Sequence, residues 1–326
     1  MHVSSVVWAL SICVVLGLFV FDFFTHVRRP HEPSLRESGF WSATYIGLAV
    51  VFGIGLSLVA GGRYGGEFFA GFVTEKALSV DNLFVFVIIM GTFAVPRIYQ
   101  QKVLLIGIVL ALVMRGAFIA VGAAAISTFS WVFYLFGLFL LLTAVKLVRE
   151  SGHAEEAEEQ RESRVAAFVK RVLPTTDSYD GDRLLTRVAG RRVVTPLLLA
   201  LVVIGLTDVL FALDSIPAVY GLTNEAYIVF MANAFALMGL RQLYFLIGGL
   251  LDRLVYLSYG LSIVLGFIGV KLVLHALHEN TLPFVNGGRH VAVPEVSTAT
   301  SLVVIVVVLA VTTVASLLRS RADARA

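Results

Sequence analysis

The chain has 326 residues, 58% of them hydrophobic and 14% charged, with a formal charge of +3 and a mean hydropathy of +0.90. A soluble domain carries about 25% charged side chains, so a soluble fold is excluded; no nucleic-acid partner is expected, and with so small a net charge, where the charges fall matters more than their sum. Cys13 is the one cysteine, which excludes a disulfide within these residues and a thiolate metal cluster.

Repeated apolar runs of roughly 20 residues predict membrane spans. Nine are expected, at 3–25, 40–60, 67–93, 103–126, 130–149, 196–220, 226–248, 254–277 and 299–318. The fold class is therefore all-α and polytopic. The first run starts at Val3 without a basic leader or an A-x-A site and reads as a retained span, not a signal peptide.

Basic residues set the orientation. Arg28, Arg29 and Arg36 follow span one, Arg97 and Lys102 follow span three, and Arg253 follows span seven. The connection 150–195 and the tail after 318 are also basic, whereas the opposite loops carry only Arg63 and Arg289. The positive-inside rule then puts the N-terminus outside and the C-terminus in the cytoplasm of a cell inner membrane. Within 150–195, the run from His153 to Glu162 reads as a solvated charged helix, a linker more than a regulator. The outer loop 278–298, with Asn286-Gly287-Gly288, reads as a small hairpin.

Spans three and six carry nearly the same motif. Thr74-Glu75 leads to Asp81-Asn82, and Thr207-Asp208 leads to Asp214-Ser215, each with two acids six residues apart. A charge at the bilayer centre costs about 2.5–3.5 kcal/mol or more, so four such acids point to a cation site. The neighbouring spans match too. Arg115 precedes Gly122 in span four as Arg241 precedes Gly248 in span seven, and Tyr134 precedes Lys146 in span five as Tyr259 precedes Lys271 in span eight. Span three runs inward and span six outward, giving a 3+3 inverted-topology repeat with its site expected near the midplane. The chain then divides into 1–66 (spans one and two), 67–149 (first repeat), 150–195 (charged loop), 196–277 (second repeat) and 278–326 (outer loop, last span, basic tail).

On a straight helix, positions six apart point about 120° away from each other. One ion can take both acids of a motif only if the helix is distorted. Pro217, just after Asp214, predicts an interruption or kink in span six. The expected ligands are Asp81 and Asp214 with Asn82 and Ser215 beside them, and Glu75 and Asp208 as further ligands or proton carriers. Arg115 and Arg241 are expected as charge partners of these acids. Lys146 and Lys271 read as snorkelling, Asn233 as a helix–helix hydrogen bond or a ligand, and Asp22 as interfacial.

All seven histidines lie at span ends or in loops, so the core offers oxygen ligands only. Such sites suit Mg²⁺, Ca²⁺ and Mn²⁺. Four acids against two arginines leave two negative charges, enough for one divalent cation, and Lys76 would lower that by one.

At Glu75-Lys-Ala-Leu-Ser-Val-Asp81-Asn82 and Thr207-Asp208-Val-Leu-Phe-Ala-Leu-Asp214-Ser215-Ile-Pro217 the chain resembles the TerC family of integral membrane proteins, named for tellurium resistance, over roughly residues 40–318. The resemblance implies Mn²⁺ efflux in a LysE-like superfamily, and the acidic inverted repeat adds the expectation of alternating access with carboxylate protonation exchanging for metal. Mn²⁺, or Ca²⁺, is then the transported or bound ion, with no organic cofactor and no enzymatic activity. The partners are the bilayer and a divalent cation. Two alternatives stand beside it. A non-transporting membrane factor for metal homeostasis or for assembly of exported proteins would bind metal at the same acids. An intramembrane aspartyl protease is disfavoured, because neither acid sits in a G-x-G-D setting and the acids are doubled. Oligomeric state and coupling ion are not encoded legibly.

Overall fold

The computed structural model describes residues 3–27, 33–129, 131–150, 167, 171, 175–176, 179–188, 191–247, 256–280, 282 and 285–323. Its helices are α1 (Ser5–Asp22), α2 (Leu35–Ala60), α3 (Gly62–Thr92), α4 (Arg97–Thr128) and α5 (Val132–Glu150). After a short antiparallel hairpin, β1 (Leu185–Val188) and β2 (Arg191–Val194), come α6 (Pro196–Tyr220), α7 (Ala226–Leu237), α8 (Leu240–Ile247), α9 (Leu257–His278) and α10 (Thr298–Asp323). Among the described residues, eight spans are long and apolar enough to cross a membrane, with α7 and α8 counting as one. The helix α3 is equally long but carries Glu67, Glu75, Lys76 and Asp81. The protein is thus a multi-pass, all-α membrane protein.

The helices sort by what surrounds them. On α6 and α7 nearly every face is buried, so hydropathy all round fits a position at the centre of the bundle. By contrast α1, α2 and α10 expose large apolar side chains such as Leu10, Val51, Leu58, Val303 and Val311. Those helices form the lipid-facing rim, where an apolar surface is favourable. One core cluster joins α3, α4, α6 and α7 to α1 and α2; a second joins α5, α9 and α10. In the packing, α3 lies on α7, α4 on α6, α3 on α6 and α5 on α9. Exchanging the triplet α3, α4 and α5 with the triplet α6, α7 and α9 turns the first contact into the second and leaves the last two unchanged.

Two expectations are corrected here. Span six is unbroken across Pro217: Gly221 N–H donates to the Pro217 carbonyl (2.9 Å), so the helix closes normally one turn on. The interruption falls in span seven, between Leu237 and Leu240. There Gly239 takes φ +82°, a left-handed value suited to glycine, and packs on Tyr45. The described residues of the outer loop hold a 3₁₀ turn at Asn286–Gly288 and no strand, and the hairpin among the described residues is elsewhere. It lies in the 150–195 connection, where Lys102 Nζ donates to the Asp182 carboxylate (2.8 Å) and carbonyl (2.9 Å). That bond holds the Asp182 carboxyl below its usual range, as the Thr186 hydroxyl does for Asp180. The charged run from His153 to Glu162 and the glycine at 248 lie outside the described residues.

Candidate functional site

The centre of the bundle is organised by one guanidinium. Arg115, in the middle of α4, is fully buried, and each of its five N–H groups has an acceptor. Nε donates to Asp208 Oδ2 (3.1 Å) and one terminal nitrogen to Asp208 Oδ1 (3.0 Å), a two-point grip on α6. The other terminal nitrogen donates to Glu75 Oε2 on α3 (2.9 Å) and to Ser215 Oγ on α6 (3.2 Å). The last acceptor is Asn82. With its amide nitrogen donating to the Leu78 carbonyl (3.0 Å), its oxygen accepts from Arg115 (3.2 Å). Three helices from both triplets are thereby tied to one side chain.

The spacing explains who takes part. Asp208 and Ser215 are seven residues apart, as are Glu75 and Asn82, which puts each pair two turns apart on one helix face. Asp214, six from Asp208, points elsewhere and accepts from Thr143 Oγ1 of α5 (3.1 Å). The Asp81 side chain lies outside the described residues. The expectation that Asp81 and Asp214 would lead is therefore not what the described residues gather: Glu75, Asp208, Asn82, Ser215 and Arg115 meet instead. Among the described residues, no group of three or more His, Cys, Asp or Glu side chains could hold a metal ion.

One oxygen of the cluster is left over. Glu75 Oε1 is buried and, among the described residues, has no hydrogen-bond partner. Ser79 Oγ, one turn further along α3, is in the same condition, as are both amide atoms of Asn233 on α7, a helix that packs on α3. A buried carboxylate oxygen without a donor is costly, and a cation is the ligand such an atom accepts. Two carboxylates against one guanidinium leave one negative charge at the cluster.

Arg241 does not join this cluster. Its NH2 group donates to Asp22 of α1 (2.8 Å), which also accepts from Tyr45 Oη of α2 (2.9 Å), while its NH1 group reaches Gln101 of α4 (3.4 Å). Asp22, at the end of α1, is accordingly buried among protein side chains. Its sole sequence signal was an acid inside an apolar span, and the partner on α8 is 219 residues away. Lys76 departs too, its Nζ donating to the carbonyls of Ala236 (3.1 Å) and Met238 (3.5 Å).

A cleft of about 610 Å³ opens at the N-terminal end of α3, bordered by Glu67, Tyr220, Thr223, Lys271, His275 and Glu295. Glu67 accepts from Thr223 Oγ1 (2.6 Å) and Arg63 Nε (2.8 Å). It stands eight residues before Glu75, about 12 Å along the helix axis. Between them α3 is closed upon by Val219 and Ala232: a methyl group at Gly71 would meet them at 3.1 and 3.2 Å.

Comparison with known proteins fits this architecture. The family model described as integral membrane protein TerC family matches residues 60–324. An uncharacterized membrane protein of Mycobacterium tuberculosis is 53% identical over 326 residues, covering 100% of this chain and 82% of that protein. The thylakoid membrane protein TERC of Arabidopsis thaliana is 43% identical over 243 residues, 74% of this chain and 62% of that protein. The Escherichia coli protein Alx, whose name proposes a membrane-bound redox modulator, is 34% identical over 284 residues, 83% of this chain and 86% of that protein. No solved structure matches.

Proposed function

This chain belongs to the TerC family of integral membrane proteins, and from that premise we propose that it exports a hard divalent cation, Mn²⁺ first, by alternating access. The observation that carries the reading is the buried Glu75 Oε1, without a donor among the described residues and set beside Asp208 on an oxygen-only cluster. Carboxylate, amide and hydroxyl oxygens are the ligands Mn²⁺ and Ca²⁺ take. Glu75, Asp208, Asn82 and Ser215 supply that set.

Arg115 gives the cluster its switch. A divalent cation arriving at Glu75 Oε1 competes with the guanidinium for the same carboxylate, and its stronger charge displaces the Glu75–Arg115 bond first. Asp208, gripped at two points, releases last. The proposed inverted repeat supplies the two states, with the cleft above Glu67 as one mouth and the closure at Gly71, Val219 and Ala232 as the barrier beneath it. Once the cation has left, protons from the opposite side take its place on the same acids and are released when the next cation binds.

Mn²⁺ flux into proteoliposomes, with Ca²⁺ as the comparison, tests this. Purified protein should move Mn²⁺, and Glu75→Gln should abolish the movement; unchanged flux in that variant sinks the site. Binding without flux would favour a membrane factor that holds or delivers metal. The redox role in the name of the Escherichia coli relative has less to rest on here: Cys13 is exposed on α1, which contributes no side chain to the Arg115 cluster.

A further inference from the structure

We infer that the break in span seven is a second cation site, built of main-chain carbonyls, selective for a singly charged ion and filled by the ammonium of Lys76. In an unbroken helix the Ala236 carbonyl would accept from residue 240 and the Met238 carbonyl from residue 242. The chain instead turns at Met238 (ψ 130°) and Gly239 (φ +82°), and α8 starts anew at Leu240. This leaves α7 with the orphan carbonyls of any helix end, inside a bundle where water is scarce.

Lys76 Nζ is placed on two of them, at 3.1 Å and 3.5 Å. It is not there for a carboxylate, since among the described residues none accepts from it. Glu75, its chain neighbour, and Asp208 are turned to Arg115, and Asp22 to Arg241. A buried lysine charge is normally paired with an acid. Here its counter-charge is the C-terminal end of α7, equivalent to roughly half an elementary negative charge.

That half-charge sets the class of ligand. Carbonyls and a helix end suit an ammonium or an alkali-metal ion, whereas a divalent ion goes to the carboxylates at Glu75 and Asp208. Half-helix ends of this kind hold free monovalent ions in discontinuous transporter helices. In this chain the ion is tethered to α3, so α3 and the α7–α8 break move as one piece and no free co-ion is needed. The inference is independent of the Mn²⁺ reading.

The test is thermal stability of the purified full chain in detergent, in NaCl, KCl or choline chloride at equal ionic strength. Wild type should melt alike in all three, and Lys76→Arg should match it. Lys76→Met should melt lower in choline and recover by on the order of a few degrees in Na⁺ or K⁺, as a bound ligand requires. Methylammonium should restore it as well. The inference is overturned if Lys76→Met melts like wild type in choline, or gains nothing from any of these cations. Should Lys76→Met not fold, Lys76→Gln decides, since its uncharged side chain ends one bond short of the lysine Nζ and leaves the carbonyls open to a cation: a cation-dependent gain supports the site and none refutes it. A wild type that moves no Mn²⁺ would refute the transport proposal and leave this one untouched.

Discussion

Arg115 meets Asp208 through two parallel N–H···O bonds, 3.1 and 3.0 Å, with both side chains almost wholly buried. This fork ties α4 to α6 across the two triplets and fixes the guanidinium plane for Glu75. Breaking a buried ion pair from one side costs roughly 3–5 kcal/mol. Asp208→Asn should therefore lower the melting temperature markedly, with Glu75 left as the one carboxylate paired to Arg115. Arg115→Met with Asp208→Leu and Glu75→Leu should recover much of the loss, since an apolar triad of similar volume avoids desolvation. Equal damage in the single and triple variants would show that the three charges do not act as a unit.

Glu75 should separate binding from stability. It holds Arg115 through Oε2 alone, and Glu75→Gln keeps an acceptor there while removing the charge beside the unpartnered Oε1. The expected cost is about 1 kcal/mol, the size of one hydrogen bond weakened, against the larger cost at Asp208. Mn²⁺ affinity by calorimetry should nevertheless fall at least about tenfold, the equivalent of about 1.4 kcal/mol. A variant that binds Mn²⁺ like wild type would remove Glu75 from the proposed ligands.

The acids were legible in the sequence because their cost in a membrane makes them conspicuous, and the spans because apolar length is a direct signal. What was illegible is angular. Six-residue spacing already implied that Asp208 and Asp214 diverge, and Asp214 is found on Thr143 of α5. Which of the two would meet Arg115 depends on helix rotation, which composition does not fix. Arg241 was misassigned for a related reason. Its place in the sequence pattern matches that of Arg115, but α1 and α2 carry no counterpart of that pattern and bring Asp22 and Tyr45 to Arg241. Pro217 reads as a breaker, yet α6 runs through it as one helix to Tyr220, with Pro217 and its neighbours Ser215 to Tyr220 buried. The break came at Gly239, where Tyr45 closes on the backbone and a positive φ is needed.

The Asp22–Arg241 pair predicts a second, separable unit. Asp22→Asn leaves Arg241 buried without a carboxylate, so it should destabilise by several times more than Tyr45→Phe, which removes one hydrogen bond worth about 1 kcal/mol. Because Asp22 belongs to α1 and Arg241 to α8, Asp22→Asn should also speed proteolytic cutting near α8. Melting curves and limited proteolysis in detergent read both effects. Similar losses in the two variants would mean that the ion pair adds nothing beyond its hydrogen bonds.

The crossing of α5 and α9 depends on two glycines that face each other's backbone. A methyl group added at Gly137 would lie 3.0 Å from the Gly269 carbonyl and 2.8 Å from Val273 Cγ2; one at Gly269 would lie 3.1 Å from the Gly137 carbonyl and 3.0 Å from Leu141 Cγ. Carbonyl oxygens on a helix cannot step aside as a side chain does. Either alanine must push the helices apart, and close approach through small residues is what drives helix association in lipid. Overpacking of this kind costs about 1–3 kcal/mol, so Gly137→Ala and Gly269→Ala should each lower the melting temperature. Gly47, on α2, has open space where its Cβ would go. Gly47→Ala should leave the melting temperature unchanged or raise it, since alanine is the better helix former by about 1 kcal/mol. Because each of the two glycines meets the other's carbonyl, the double variant should lose less than the sum of the singles: once the helices have parted for one methyl, the second finds room. Strict additivity in a melting-curve comparison would place the two glycines in separate contacts.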